Sequence, residues 1–150
     1  RYNIPRKLGC LGTKALILPQ FGIFAQGTHS HYFLEFDIRQ GVSPGDVAKS
    51  FRRLRSPDVS AGGVNFVIAF GPKLWRQMAP SSAPASLTDF QEVIGSDGRK
   101  APATQHDAWV WISGSAPDVV WDHARACLLT VTDVAEIATE QAAFTYRESR

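Results

Sequence analysis

Four histidines are the first candidates for chemistry in this chain: His29, His31, His106 and His123. Only His29-Ser30-His31 has ligand spacing, because residues two apart on an extended strand point to the same side. Two imidazoles are half a donor set, and no third ligand follows at metal spacing, so a solvent-facing pair is expected. His106 and Asp107 are adjacent, and adjacent strand residues point to opposite faces, which argues against an acid–base couple. Asp107 is expected instead to cap a turn or hold a loop amide. His123 falls on a helix and reads as a surface or partly packed residue.

Nucleophilic chemistry has no better support. The chain contains no Gly-x-Ser-x-Gly elbow, so a hydrolase is not indicated. Gly95-Ser96-Asp97-Gly98 looks like a phosphate or cation loop, but no strand precedes it and no Lys-Ser/Thr pair follows. A surface turn is the reading it supports. Cys10 and Cys127 lie far apart without a Cys-x-x-Cys partner. That argues against a disulfide framework or a structural zinc site, and makes a reducing, cytoplasmic setting the default. Taken from chemistry alone, the sequence shows no catalytic, cofactor-binding or metal-binding residue.

The elements that would position any site are clearer. Asp107 to Ser113 alternates strictly, placing Ala108, Val110 and Ile112 on one face and Asp107, Trp109, Trp111 and Ser113 on the other. It reads as a central strand with bulk on both faces. His31 to Ile38 is an earlier strand, with Tyr32, Leu34, Phe36 and Ile38 opposed to Phe33, Glu35 and Asp37. Ser43-Pro44-Gly45-Asp46 opens a helix with a serine cap, proline first and an acid three residues on. Val47, Phe51 and Leu54 give it an apolar stripe, and it is expected to end near Ser56-Pro57.

Val64 to Phe70 is the next strand, followed by a short helix carrying Leu74, Trp75 and Met78. Residues 79–106 form a long connection with one amphipathic turn at Leu87-Thr88-Asp89-Phe90. After the central strand, Ser115-Ala116-Pro117-Asp118 repeats the helix-start pattern, and Val120, Ala124, Cys127 and Leu128 form the stripe. Ala135 to Tyr146 closes the chain as one strand or a bent pair.

The 150 residues, 44% hydrophobic and 20% charged, describe one globular domain. Residues 1–18 show no clear periodicity and are set apart as a lead-in; Pro19 to Ile23 reads as extended. A net charge of +2 excludes nucleic acid as an expected partner, and Arg52-Arg53-Leu54-Arg55 suits a solvated helix end. Leu16-Ile17-Leu18 is too short to span a membrane. The order strand, helix, strand, strand, helix, strand is the split βαβ, ferredoxin-like arrangement, α+β in class. It predicts a four-stranded antiparallel sheet with two helices on one face. The other face then presents Phe33, Trp109 and Trp111, an apolar patch of the size that marks an interface.

Several stretches resemble the first half of a dye-decolourising (DyP-type) haem peroxidase. They are Pro19-Gln20-Phe21-Gly22-Ile23, Phe33-Leu34-Glu35-Phe36, Ala69-Phe70-Gly71-Pro72-Lys73-Leu74-Trp75 and Leu87-Thr88-Asp89-Phe90. Most specific is Ala101-Pro102-Ala103-Thr104-Gln105-His106-Asp107, a Pro-x-Thr-Gln-x-Asp signature ahead of an alternating strand. Phe144 to Arg150 resembles the lead into the family's Gly-x-x-Asp-Gly motif. The resemblance spans residues 19–150 and implies a peroxide-dependent oxidoreductase using haem b. It also implies that the motif aspartate, the distal arginine and the haem-ligand histidine lie beyond Arg150; Gly95 to Gly98 is one residue short of the motif and misplaced. The chain alone is then expected to bind no haem. Its implied partner is a missing C-terminal haem domain, with Phe33, Trp109 and Trp111 as inter-domain core. Two other readings stand beside this: a stand-alone ferredoxin-like dimerisation module without catalysis, whose partner is a second copy, and a dimer recruiting haem through His29 or His31.

Overall fold

A computed structural model describes residues 19–54 and 63–146. The lead-in to residue 18, Cys10 and the expected helix end at Ser56-Pro57 lie outside the described residues. The first strand, β1 (Ser30–Ile38), is followed by helix α1 (Pro44–Phe51), β2 (Asn65–Phe70) and the short helix α2 (Pro72–Met78). Two minimal strands come next, β3 (Val93–Ile94) and β4 (Lys100–Ala101), then β5 (Ala108–Gly114), α3 (Pro117–Val131) and β6 (Ala135–Phe144).

The main sheet has four strands in the order β2-β5-β1-β6, each neighbour antiparallel. This is the ferredoxin-like, α+β architecture expected from the sequence. The expected alternation of β1 and β5 also holds. Tyr32, Leu34 and Phe36 are buried, as are Ala108, Val110 and Ile112, and these sets face each other across the strands. From above, α1 contributes Val47 and Phe51, and α3 contributes Val120, Ala124, Cys127 and Val131. Each large apolar side chain so buried contributes about 1.5–3 kcal/mol. Burial also pushes the Cys127 thiol up to about 12, so it behaves as a small apolar residue rather than a nucleophile.

The two helix starts differ in a way the sequence pattern concealed. Ser43 Oγ accepts the Asp46 N–H at 3.1 Å and donates to its carboxylate at 2.7 Å, a cap contributing about 1 kcal/mol. At α3 the extra residue before Pro117 puts Ala116 at the cap position, where a methyl group accepts nothing. The far end of α3 is better served. Arg53 Nη2 donates to Thr130 O at 2.8 Å and Arg39 Nε to Thr132 O at 2.9 Å, two cations on the negative end of the helix dipole. Arg53 is thus more than part of a solvated face.

Two further elements were not foreseen. The lead-in expected to be extended is so only at its start; Phe21–Phe24 forms a single 3₁₀ turn. It lies against the outer edge of β2, so closely that a Cβ on Gly22 would come within 2.5 Å of Phe66 O. Just before it, the Gln20 carboxamide donates to Ile68 O at 2.7 Å and accepts from Ile68 N at 2.8 Å. One side chain thereby reproduces both hydrogen bonds of a neighbouring strand on an edge that would otherwise stay open. The second is the β3–β4 hairpin within the long connection. Gly95-Ser96-Asp97-Gly98 is its turn, as expected of a surface loop, with Gly98 at φ 79°, Gly95 N–H donating to Arg99 O, and Asp97 holding the Arg99 amide.

Candidate functional site

The face of the sheet turned away from the helices is the candidate site. Phe33 sits on it with its ring centroid 5.9 Å from that of Trp109 and 6.1 Å from that of Trp111, while the two indoles lie 6.3 Å apart. His31 extends the row, 6.4 Å from Phe33 and 5.8 Å from Trp111. The structure therefore brings the three expected aromatics together on one face. Mutual stacking leaves them half-buried rather than bare. Part of the same face, at Val67, is covered by the 3₁₀ turn; Gly22 packs against its methyl group.

Each end of the row is polar. At one end, Trp111 Nε1–H donates to His31 Nδ1 at 3.2 Å, and His31 Nε2 lies 3.2 Å from Thr145 Oγ1. Burial, with His29 nearby, holds the His31 imidazole below its ordinary value of 6.5. At the other end, His106 Nδ1 is 2.9 Å from Asp37 Oδ1 and its Nε2 is 3.5 Å from Glu35 Oε2. Sequence reasoning tested His106 against its neighbour Asp107 and missed both partners. They come from β1, and only the strand pairing reveals them; alternation fails here because β5 begins at Ala108, one residue after Asp107.

Asp107 instead holds a backbone amide, as expected: Ile38 N–H donates to its Oδ2 at 2.9 Å. Its own carbonyl accepts Gly71 N–H at 2.8 Å, and a Cβ on Gly71 would come within 3.0 Å of His106 O. Gln105 Nε2 reaches Phe90 O at 3.2 Å. The Pro-x-Thr-Gln-x-Asp stretch is therefore a junction that ties the end of β1, the start of α2 and the long connection to β5. Asp107→Ala is expected to lower stability by about 1–3 kcal/mol by orphaning the Ile38 amide, whereas Asp107→Asn, which keeps an acceptor, costs under about 1 kcal/mol. Urea unfolding of the two variants against the parent chain measures the difference.

The fold and this face define a ferredoxin-like domain with helices on one side of the sheet and an aromatic row on the other. The chain belongs to the family described as Dyp-type peroxidase, N-terminal, which matches residues 20–145. No curated protein matches the chain. Among solved structures it is similar to a protein from Shewanella oneidensis described as a dyp-type peroxidase, at 23% identity and a TM-score of 0.74, covering 86% of this chain and 43% of that one. The encapsulated DyP-type peroxidase from Mycobacterium smegmatis gives 23% identity and a TM-score of 0.67 with the same coverages, 86% and 43%. A variant of DypB from Rhodococcus jostii RHA1 in complex with heme gives 19% and 0.66, covering 91% of this chain and 44% of that chain. The chain spans less than half the length of these relatives.

The histidines of the described residues are placed as follows. His31 engages both ring nitrogens, as does His106. His29 is exposed, and His123 sets its ring edge-on to Phe66 at 5.8 Å on α3. An apolar groove of about 600 Å³ between Phe51, Phe70, Trp75 and Met78 has no histidine in its walls. Among the described residues no group of three or more His, Cys, Asp or Glu could hold a metal ion. No helix among them is long and apolar enough to cross a membrane.

Proposed function

We propose that residues 19–150 are the N-terminal structural half of a haem-dependent, peroxide-using oxidoreductase of the dye-decolourising type, preceded by a lead-in of 18 residues. The observation that carries this is the sheet face bearing Phe33, Trp109 and Trp111, which no helix among the described residues covers, in a chain that matches under half of each of these solved relatives. Haem is the cofactor of the complete protein, in keeping with the heme complex of the DypB relative. The Gly-x-x-Asp-Gly aspartate, the distal arginine and the ligand histidine belong to a second half, which docks on this face. Large exposed apolar side chains elsewhere, among them Phe21, Phe24 and Phe144, give that second half further area to bury. The buried thiol of Cys127 suits a cytoplasmic setting.

This chain's part in the reaction is to supply a preformed wall. The aromatic row offers a rigid apolar surface, and the junction at Asp107 fixes the strand that carries it. The experiment is to purify the 150-residue chain alone and together with the polypeptide encoded downstream of it, with haem and peroxide supplied. A Soret band and peroxide turnover are expected only for the pair. Both in the 150-residue chain alone would overturn the proposal.

The same face also supports a second reading, a stand-alone module that dimerises sheet to sheet without catalysis. Sedimentation separates the two: a tight dimer of the isolated chain that disperses when Trp109 and Trp111 are replaced favours the module.

A further inference from the structure

The His31 contacts form a one-way chain of donors. An indole N–H can only donate, so the 3.2 Å contact from Trp111 Nε1 requires an unprotonated lone pair on His31 Nδ1. The imidazole hydrogen must then sit on Nε2, where Thr145 Oγ1 accepts it at 3.2 Å. Thr145 is free to accept because its own hydroxyl hydrogen goes to Thr28 O at 3.3 Å. The direction runs from Trp111 through His31 and Thr145 to a backbone carbonyl, joining β5, β1 and the segment after β6. This chain fixes the imidazole as neutral and as a single tautomer.

We propose that His31 is an acid-released latch on Trp111: neutral, it holds the indole in the aromatic row, and protonated, it lets the indole go. Imidazolium carries a hydrogen on both nitrogens, so Nδ1–H would face the indole N–H, donor against donor. The contact cannot survive that proton. The row would lose its terminal ring, and the face would lose part of its fixed shape. As a regulator of docking the latch rests on the reading given above; as a property of the chain it does not.

The surroundings permit the switch. His31 has Trp111 and Ser113 beside it on β5, Ala143 on β6 and Thr145 just after β6, all uncharged. The titratable group acting on it is His29, on its own strand side, which together with burial favours the neutral form, against a smaller opposing contribution from the Thr28 backbone. Because the folded imidazole is harder to protonate than an unfolded one, its contribution to stability is full above 6.5 and is lost as pH falls through the lower, folded value.

The test follows the indole N–H resonances of the full 150-residue chain by two-dimensional NMR, from about pH 8 down to about pH 5. Trp111 is identified by its loss in Trp111→Phe. In the parent chain the Trp111 signal is expected to move with a midpoint below 6.5. In His31→Asn, whose carboxamide oxygen can accept the indole hydrogen without titrating, it should stay still across the range. His106→Gln should leave the movement intact, since that histidine serves the opposite end of the row. A parent signal that does not titrate, or one that titrates equally in His31→Asn, overturns the latch. No partner is present in this measurement, so failure of the docking proposal would leave its outcome unaffected.

Discussion

Replacing Trp109 and Trp111 together by glutamate is expected to abolish association with the proposed second half while leaving the domain folded. Both indoles stand on the side of β5 opposite Ala108, Val110 and Ile112, so their loss opens no cavity beneath the helices. What it removes is stacked aromatic area at the centre of the face, the kind of residue whose truncation costs 2 kcal/mol or more at an interface, about 4 kcal/mol for the two. That converts to roughly a thousandfold weaker binding, and two buried carboxylates add to it. Titration calorimetry or recovery of the Soret band in the mixed halves reads the loss. Circular dichroism of the variant alone should match the parent. Undiminished binding by a folded double variant would show that docking uses another surface.

The second large effect lies on the opposite side of the same sheet. Phe36 is 1% exposed, and its ring meets that of Phe51 edge-on at 5.8 Å; Phe51 in turn meets Phe70 at 5.4 Å. One aromatic chain thus links β1 to α1 and α1 to β2. Phe36→Ala should destabilise by about 3–5 kcal/mol, a large share of the 5–15 kcal/mol that a domain of this size commands. Phe33→Ala, three residues earlier on the half-buried face, should cost less than half as much. Urea midpoints of the two variants decide the matter. If they coincide, the core does not lie where the alternation of β1 puts it.

The contrast between Phe33 and Phe36 also shows what is legible in the sequence. Period-two alternation in β1 and β5 gave both faces of the sheet, because one face is apolar under helices and the pleat repeats every two residues. The serine cap of α1 was legible because Ser43 directly precedes its proline. The parallel pattern at Ser115 misled, since a single inserted residue moves the cap onto Ala116 and the motif conveys types better than positions. The β3–β4 hairpin escaped notice because two-residue strands are too short for any periodicity. At the site, the three aromatics were legible as members of one face. The hydrogen bonds that fix them were not: His31 to Trp111 and His106 to Asp37 join residues 80 and 69 positions apart, and such pairs exist only once strands pair. Likewise Gln20, read as part of an extended lead-in, gave no sign that its side chain would complete β2.

That substitution of a side chain for a strand has a consequence for stoichiometry. Gln20 and the turn at Phe21–Phe24 occupy the outer margin of β2, whereas the outer margin of β6, ten residues long, meets no other strand among the described residues. A sheet with two free margins can polymerise; a sheet with one can only pair. Any strand addition between copies through β6 is therefore expected to stop at a two-fold assembly with a Gln20-lined margin at each end. Gln20→Ala, by unsealing the first margin, should turn that finite product into an open-ended one, which light scattering of the warmed protein would register.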